Sequence, residues 1–273
     1  MKRIVALFLL PVVFAGLACI SSCKNRGTGD KDQKKVELNH YQSLELEMES
    51  NVDSLPTSAE VIKMLTDLEV GYIFGISNPV ENTKKYFTQD AKAINMGVYG
   101  ADLSYATLYN IQQSVLDYLS AIRSMSADLN MSQIYDETLY DRIKQNFDYK
   151  DKLVEILSEA FDATYNYLSK NEQQPLALLV VGGAWVEGMY ITTHVSGAAY
   201  NVAGIAGNLL EQKKSFELYL EITKPYMNDP LIAGFVGKLD PIKQVYAGLG
   251  TSLTEKNIID ITKAIEEIRI KLV

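Results

Sequence analysis

The chain predicts an all-α fold, a single bundle of about eight or nine helices with no sheet, on three observations. From Thr57 onward, apolar residues recur at three- and four-residue intervals, the period of a helix with one buried face. Proline, glycine, asparagine and threonine punctuate that period where helices start and stop. No run alternates apolar and polar residues as a half-buried strand does. No segment repeats at a period of about 20–50 residues either, which argues against a solenoid.

Taken in order, Thr57-Ser58-Ala59-Glu60 has the form of a capping box, and Val61, Met64, Leu65 and Leu68 follow as one stripe. Asn78-Pro79 marks the next start, for a helix over 78–96 that yields at Gly97. A long helix over 101–128 buries Leu108, Ile111, Val115, Leu116, Leu119 and Ile122, and a shorter one covers 132–146. Asp148 is placed to cap a helix carrying Leu153, Ile156, Leu157, Ala160, Phe161 and Leu168. Pro175 opens a helix that is apolar nearly all round, and therefore central. Helices over 196–224 and 231–248 follow, separated by Pro225 and Asn228-Asp229-Pro230. The last begins after a Thr254 cap and turns Ile258, Ile261, Ile265, Ile268 and Leu272 inward.

The first 22 residues read differently. Lys2 and Arg3 precede an apolar stretch over 4–20, and small residues lead into a cysteine, the order of a secretory signal peptide. Ile20-Ser21-Ser22-Cys23 resembles the lipobox of bacterial lipoproteins, in which an aliphatic residue and two small ones precede the lipid-bearing cysteine. Cys19 is the other possible anchor, but Gly16 stands in its aliphatic slot, so Cys23 is the better match. The alternative, an uncleaved membrane helix over 4–20, sits at the short limit of the roughly 17–25 residues needed to span and has Pro11 in its middle. The resemblance implies a lipid anchor at Cys23 with three acyl chains, effectively permanent. Lys24, with no acidic neighbour, points under the same resemblance to the outer membrane, facing the periplasm. Residues 23–56 then form a flexible tether, because 24–35 contain no apolar side chain to bury. The helical domain occupies 57–273.

Composition excludes several classes. Both cysteines, Cys19 and Cys23, lie at the N-terminus, so the helical part has no disulfide, no cysteine nucleophile and no thiolate metal site. The formal net charge is −8, and is more negative once Lys2 and Arg3 leave with the leader. Nucleic acid is therefore not an expected partner, since binding it requires clustered cations. Of two histidines, His40 lies in the tether and His194 in the domain, and no His-Glu-x-x-His or Gly-x-Ser-x-Gly pattern occurs. No cofactor or metal is expected. Seventeen tyrosines against eight phenylalanines stand out, either as polar-edged packing residues or as an aromatic ligand surface.

Two segments carry what chemistry the chain offers. The first, 95–105, has Gly97 and Gly100 three apart, which reads as a tight corner with Asp102 capping the next helix. Its functional version is a small glycine-floored pocket with Tyr99, Asp102 and Tyr105 as polar groups. The second, 182–194, places Gly183, Glu187 and Tyr190 on one helix face, with His194 two turns beyond Glu187. A carboxylate in so apolar a helix is costly unless paired. Glu187 is thus either a functional group or a buried residue that fixes helix register. These segments, with Trp185, are similar to stretches in uncharacterised helical lipoproteins of Bacteroidota, a likeness that implies no activity. Imelysin-like helical lipoproteins are a further comparison, but their His/Glu metal motif has no counterpart here.

The leading expectation is a non-enzymatic binding or scaffolding module, held to the membrane by its N-terminal lipid and engaging an envelope protein or small ligand. The alternative is a hydrolase or metal-dependent enzyme using Asp102, Glu187 and His194. Tyr99, Tyr105, Trp185 and Tyr190 complete the candidate ligand-binding set.

Overall fold

The computed structural model describes residues 71–195 and 203–273. The leader, Cys23, the tether and the helix expected from Thr57 lie outside them. Among the described residues there are nine α-helices and no strand: α1 (Gln89–Leu108), α2 (Gln112–Asp128), α3 (Glu137–Gln145), α4 (Lys150–Lys170), α5 (Gln174–Val195), α6 (Ala203–Thr223), α7 (Pro230–Lys238), α8 (Asp240–Ala247) and α9 (Glu255–Ile270).

α1 and α5 cross at the centre, with α2, α4 and α9 packed around them and α8 against α9. The expected corner at Gly97 and Gly100 does not exist, because α1 runs straight through both residues. Gly97 is required for another reason. A Cβ there would lie 2.0 Å from the carbonyl oxygen of Val180, and one at Gly183 would lie 2.0 Å from that of Ile94. Each helix therefore lays a glycine against the other's backbone. Ile94 meets Gly183 and Gly97 meets Val180 and Ala184, while Asp102 faces Glu187 further along both helices, so α1 and α5 run parallel.

The helix expected over 78–96 is also corrected. Asn78 does not cap it; its amide accepts from Asn82 and donates to Tyr86. A 3-10 turn over Val80–Lys85 ends at Tyr86 in extended backbone, and Thr88 caps α1 by accepting the Ala91 N–H. The stretch over 101–128 divides at Asn110, whose φ of +54° suits asparagine among non-glycine residues. α3 starts late, at the Asp136 cap, and Tyr149 rather than Asp148 precedes α4. The single helix expected over 231–248 is two, since Pro241 has no N–H to continue the ladder and opens α8.

Other expectations hold. α5 starts with Pro175 in its first turn and is buried almost all round. It is the one helix among the described residues long and apolar enough to cross a membrane, but that surface is consumed in the core. Thr254 caps α9 in a reciprocal box with Asn257, and all five expected inward residues are buried. Asn95, fully buried in α1, donates to the carbonyl oxygens of Ala91 and Leu272 at 2.9 Å each, tying the end of the α9 segment to α1.

The crossing and the open position beside it give opposite expectations for one substitution. Gly97→Ala meets backbone that cannot step aside, so urea unfolding should show a loss toward or beyond the upper end of the ~1–3 kcal/mol typical of overpacking. Gly100→Ala has nothing within 4 Å of the added carbon and should gain about 0.5–1 kcal/mol as a helix-interior glycine replaced. Equal effects at the two positions would contradict the crossing.

Candidate functional site

Because the backbones of α1 and α5 nearly touch, side chains beyond the crossing are pressed together. Asp102 from α1 and Glu187 from α5 are both fully buried there. Burying a carboxylate demands a partner, and α9 supplies it. The guanidinium of Arg269 donates from Nε to Glu187 Oε2 at 2.6 Å and from Nη2 to Oε1 at 2.8 Å. This is a two-pronged, charge-assisted pair, the strongest form such contacts take. Nη2 also reaches the Ile76 carbonyl at 3.4 Å. Asp102 Oδ2 accepts the backbone N–H of Asn78 at 3.1 Å.

Two carboxyls share one cation, so they cannot hold charge equally. Burial pushes the Asp102 carboxyl well above the usual range, and the negative charge of Glu187 pushes it further; Arg269 and the Asn78 N–H oppose this. Burial raises Glu187 too, but Arg269 and Asp102 restrain it. Burial works against the Arg269 cation, yet its bonds to Glu187 prevail and its own value rises. Glu187 is thus the carboxyl that Arg269 holds toward its charged form, and Asp102 is the one pushed toward its protonated form. The Ser77 hydroxyl lies near enough to favour the ionised Asp102, though neither Ser77 Oγ nor Asp102 Oδ1 completes a hydrogen bond.

Tyr190, one turn after Glu187, roofs the pair, with the Arg269 guanidinium 3.9 Å from its ring centre. The His194 ring lies 3.9 Å from the same ring. Its Nδ1 is 2.8 Å from the Tyr190 carbonyl oxygen and its Nε2 is 2.9 Å from Glu266 Oε1. Tyr99 donates its hydroxyl to the Pro79 carbonyl at 2.8 Å, and burial holds that phenol far above its ordinary value.

Asp102, Glu187, Tyr190 and His194 thus gather as the sequence suggested, with Tyr99 alongside. Asp102 sits in mid-helix, not at a cap, which corrects that expectation. Tyr105 belongs to a neighbouring aromatic cluster; its hydroxyl accepts the Ile73 N–H at 2.9 Å, its ring stacks on Tyr72 at 4.9 Å, and burial pushes its phenol up to about 12. Trp185 stands apart. Two residues before Glu187, it points to the other side of α5 and stacks on Phe216 of α6 at 4.9 Å. Arg269 and Asn78 were not foreseen. The available signal was an arginine four residues after Ile265 and three before Leu272, on the edge of the inward stripe of α9.

Chemically, both Glu187 oxygens are engaged and one Asp102 oxygen is bonded, all inside the core. The arrangement locks α1, α5, α9 and the segment over 76–78 together and closes Asp102 and Glu187 off from solvent. Among the described residues, no group of three or more His, Cys, Asp or Glu side chains is disposed to hold a metal ion. An open depression between α8 and α9, lined by Gln244, Val245, Asp260, Lys263 and Glu267, contains none of the candidate residues. Comparison with known proteins yields no matching family model, no matching curated protein and no matching solved structure.

Removing the cation alone should be severe. Arg269→Met leaves Glu187 buried without its partner and should lower unfolding free energy by about 3–5 kcal/mol, read by urea denaturation. The proton on Asp102 has its own signature. Unfolding returns this carboxyl to about 3.9, so the unfolded chain binds fewer protons than the folded one over the interval above that value. Its contribution is complete below about pH 4 and is lost as pH rises through the raised folded value. Wild-type stability should therefore decline across that window relative to Asp102→Asn, and parallel profiles for the two proteins would place the proton elsewhere.

Proposed function

We propose that the chain is a lipid-anchored protein of the cell envelope whose helical domain binds or scaffolds a partner and does not catalyse a reaction. The observation that carries this reading is Ile20-Ser21-Ser22-Cys23 at the end of a charged-then-apolar leader. Lys24 at the next position supports the outer membrane, facing the periplasm, as the destination. The rival reading, a hydrolase or metal-dependent enzyme, needs Asp102 and Glu187 open to a substrate within hydrogen-bond reach. Arg269 occupying both oxygens of Glu187 speaks against it. The described tyrosines support packing over catalysis as well: Tyr99, Tyr105 and Tyr219 each spend a hydroxyl on backbone, at Pro79, Ile73 and Leu178.

The decisive test is metabolic labelling with a fatty acid in an expressing bacterium, followed by fractionation. Wild type should incorporate label and sediment with membranes, whereas Cys23→Ala should lose label and remain at precursor size. A Cys23→Ala chain that is still processed and still acylated would sink the anchor assignment at this residue.

A further inference from the structure

The end of the bundle where α1 and α5 finish carries side chains that the core does not use. Phe74 is 81% exposed and Ile73 39%, side by side in an irregular segment between Gly71 and Gly75. Their exposure is built, not incidental. Tyr105 holds the Ile73 backbone N–H, Tyr72 stacks on Tyr105, and the Phe74 ring stands edge-on to Tyr72 at 4.8 Å. Tyr109 closes the cluster 5.6 Å from Tyr72. Gly75, at φ +81°, turns the chain back into the core immediately afterwards, where Ile76 is buried. A phenylalanine is thus buttressed by rings and aimed outward.

The same end has more of this character. Val154 of α4 packs against the cluster of Ile76, Tyr105, Leu108, Ile191 and Val195. Just over one turn earlier, Tyr149 is 66% exposed, and Lys152 between them is exposed as well. Apolar tips, tyrosines and lysine together have the composition of protein surfaces at a membrane–water boundary, where rings sit among headgroups and lysine stems reach past them. This end is also where the chain enters the described domain, at Gly71, directly after the residues that follow Cys23.

We propose that this end is a membrane-docking face, with Phe74 and Ile73 inserted at the headgroup level of the bilayer that holds the anchor. The assignment rests on the lipid-anchor reading above. Attachment makes docking an intramolecular event, so a surface this small suffices where it would not hold a free protein. The net negative charge of the chain argues against a purely electrostatic attachment to anionic lipid and for an apolar one.

Phe87 supplies a matched control. It is also 81% exposed, but lies beside the Thr88 cap at the opposite end of α1, and none of the described rings braces it. Once Cys23 is acylated and Cys19 has left with the leader, Phe74→Cys and Phe87→Cys each carry a single free thiol. The full lipidated chains are labelled there with an environment-sensitive fluorophore. They are then reconstituted in vesicles of phosphatidylethanolamine and phosphatidylglycerol containing doxyl-labelled lipid. Melting curves matching wild type establish that both variants are folded. The label at 74 should be quenched several-fold more than the label at 87 and shift to the blue.

Equal quenching at the two positions, or none at either, overturns the docking face. Protection of position 74 from both doxyl lipid and aqueous iodide overturns it too, because protein then covers the site. Mass spectrometry of the N-terminal peptide in the same preparation reads the anchor separately. An acylated chain with an unquenched position 74 sinks the docking alone, whereas a chain without acyl groups sinks both.

Discussion

The architecture depends on the contact between α1 and α5 at Gly97 and Gly183. Helix axes in proteins usually lie 8–10 Å apart, held off by the side chains between them. Here each helix offers a glycine where the other offers backbone, so no side chain intervenes. The approach stabilises through dense packing but brings whatever lies further along into forced proximity. Asp102 and Glu187 lie there, and neither can reach water. Their burial in turn requires a cation, which draws in Arg269 from α9, and a backbone donor, which draws in Asn78. One close crossing thus dictates the position of a third helix and of the segment before α1.

Much of the fold was legible in the sequence, and the exceptions share a cause. The Pro175 start, the Thr254 cap, the apolar stripes of α4 and α9 and the all-round apolar character of α5 depend on local chemistry, which one chain displays. Gly97 was misread because glycine serves two ends, freedom in φ and absence of a Cβ, and only the position of the other helix distinguishes them. The misreading carried Asp102 with it, from buried acid to supposed cap. Asn78 likewise looked like a cap because its preference for helix starts is local, whereas its bonds to Tyr86 and Asn82 arise from the wrapping of the segment around α1. At the site, Glu187 was recognisable as an anomaly within an apolar helix, but its partner was not, since Arg269 sits 82 residues away.

The tyrosines have a related logic. A helical bundle meets irregular chain poorly, because irregular backbone presents unpaired N–H and carbonyl groups. Tyrosine spans that gap with an apolar body in the core and a hydroxyl at its far end. Tyr99 reaches the Pro79 carbonyl and Tyr105 the Ile73 amide, so the segment before α1 is sealed to the helices by phenols. Tyr219 instead links two helices, α6 to a carbonyl within α5, and Tyr135 pairs its hydroxyl with Thr164, its phenol pushed up to about 12 by burial.

The parallel arrangement of α1 and α5 has a bearing on the order in which the protein can come into being. Parallel neighbours cannot be joined by a short turn, and the chain between them runs through three further helices. The Asn95 bond to Leu272 spans 177 positions and the Arg269–Glu187 pair spans 82. Contacts of such separation must close long loops before they form, which slows folding. Until α9 is present, a chain bringing α1 onto α5 would bury Asp102 and Glu187 without Arg269, so closing the crossing costs more in partial lengths than in the whole chain. The crossing of α1 and α5 is therefore most favourable once α9 can join it.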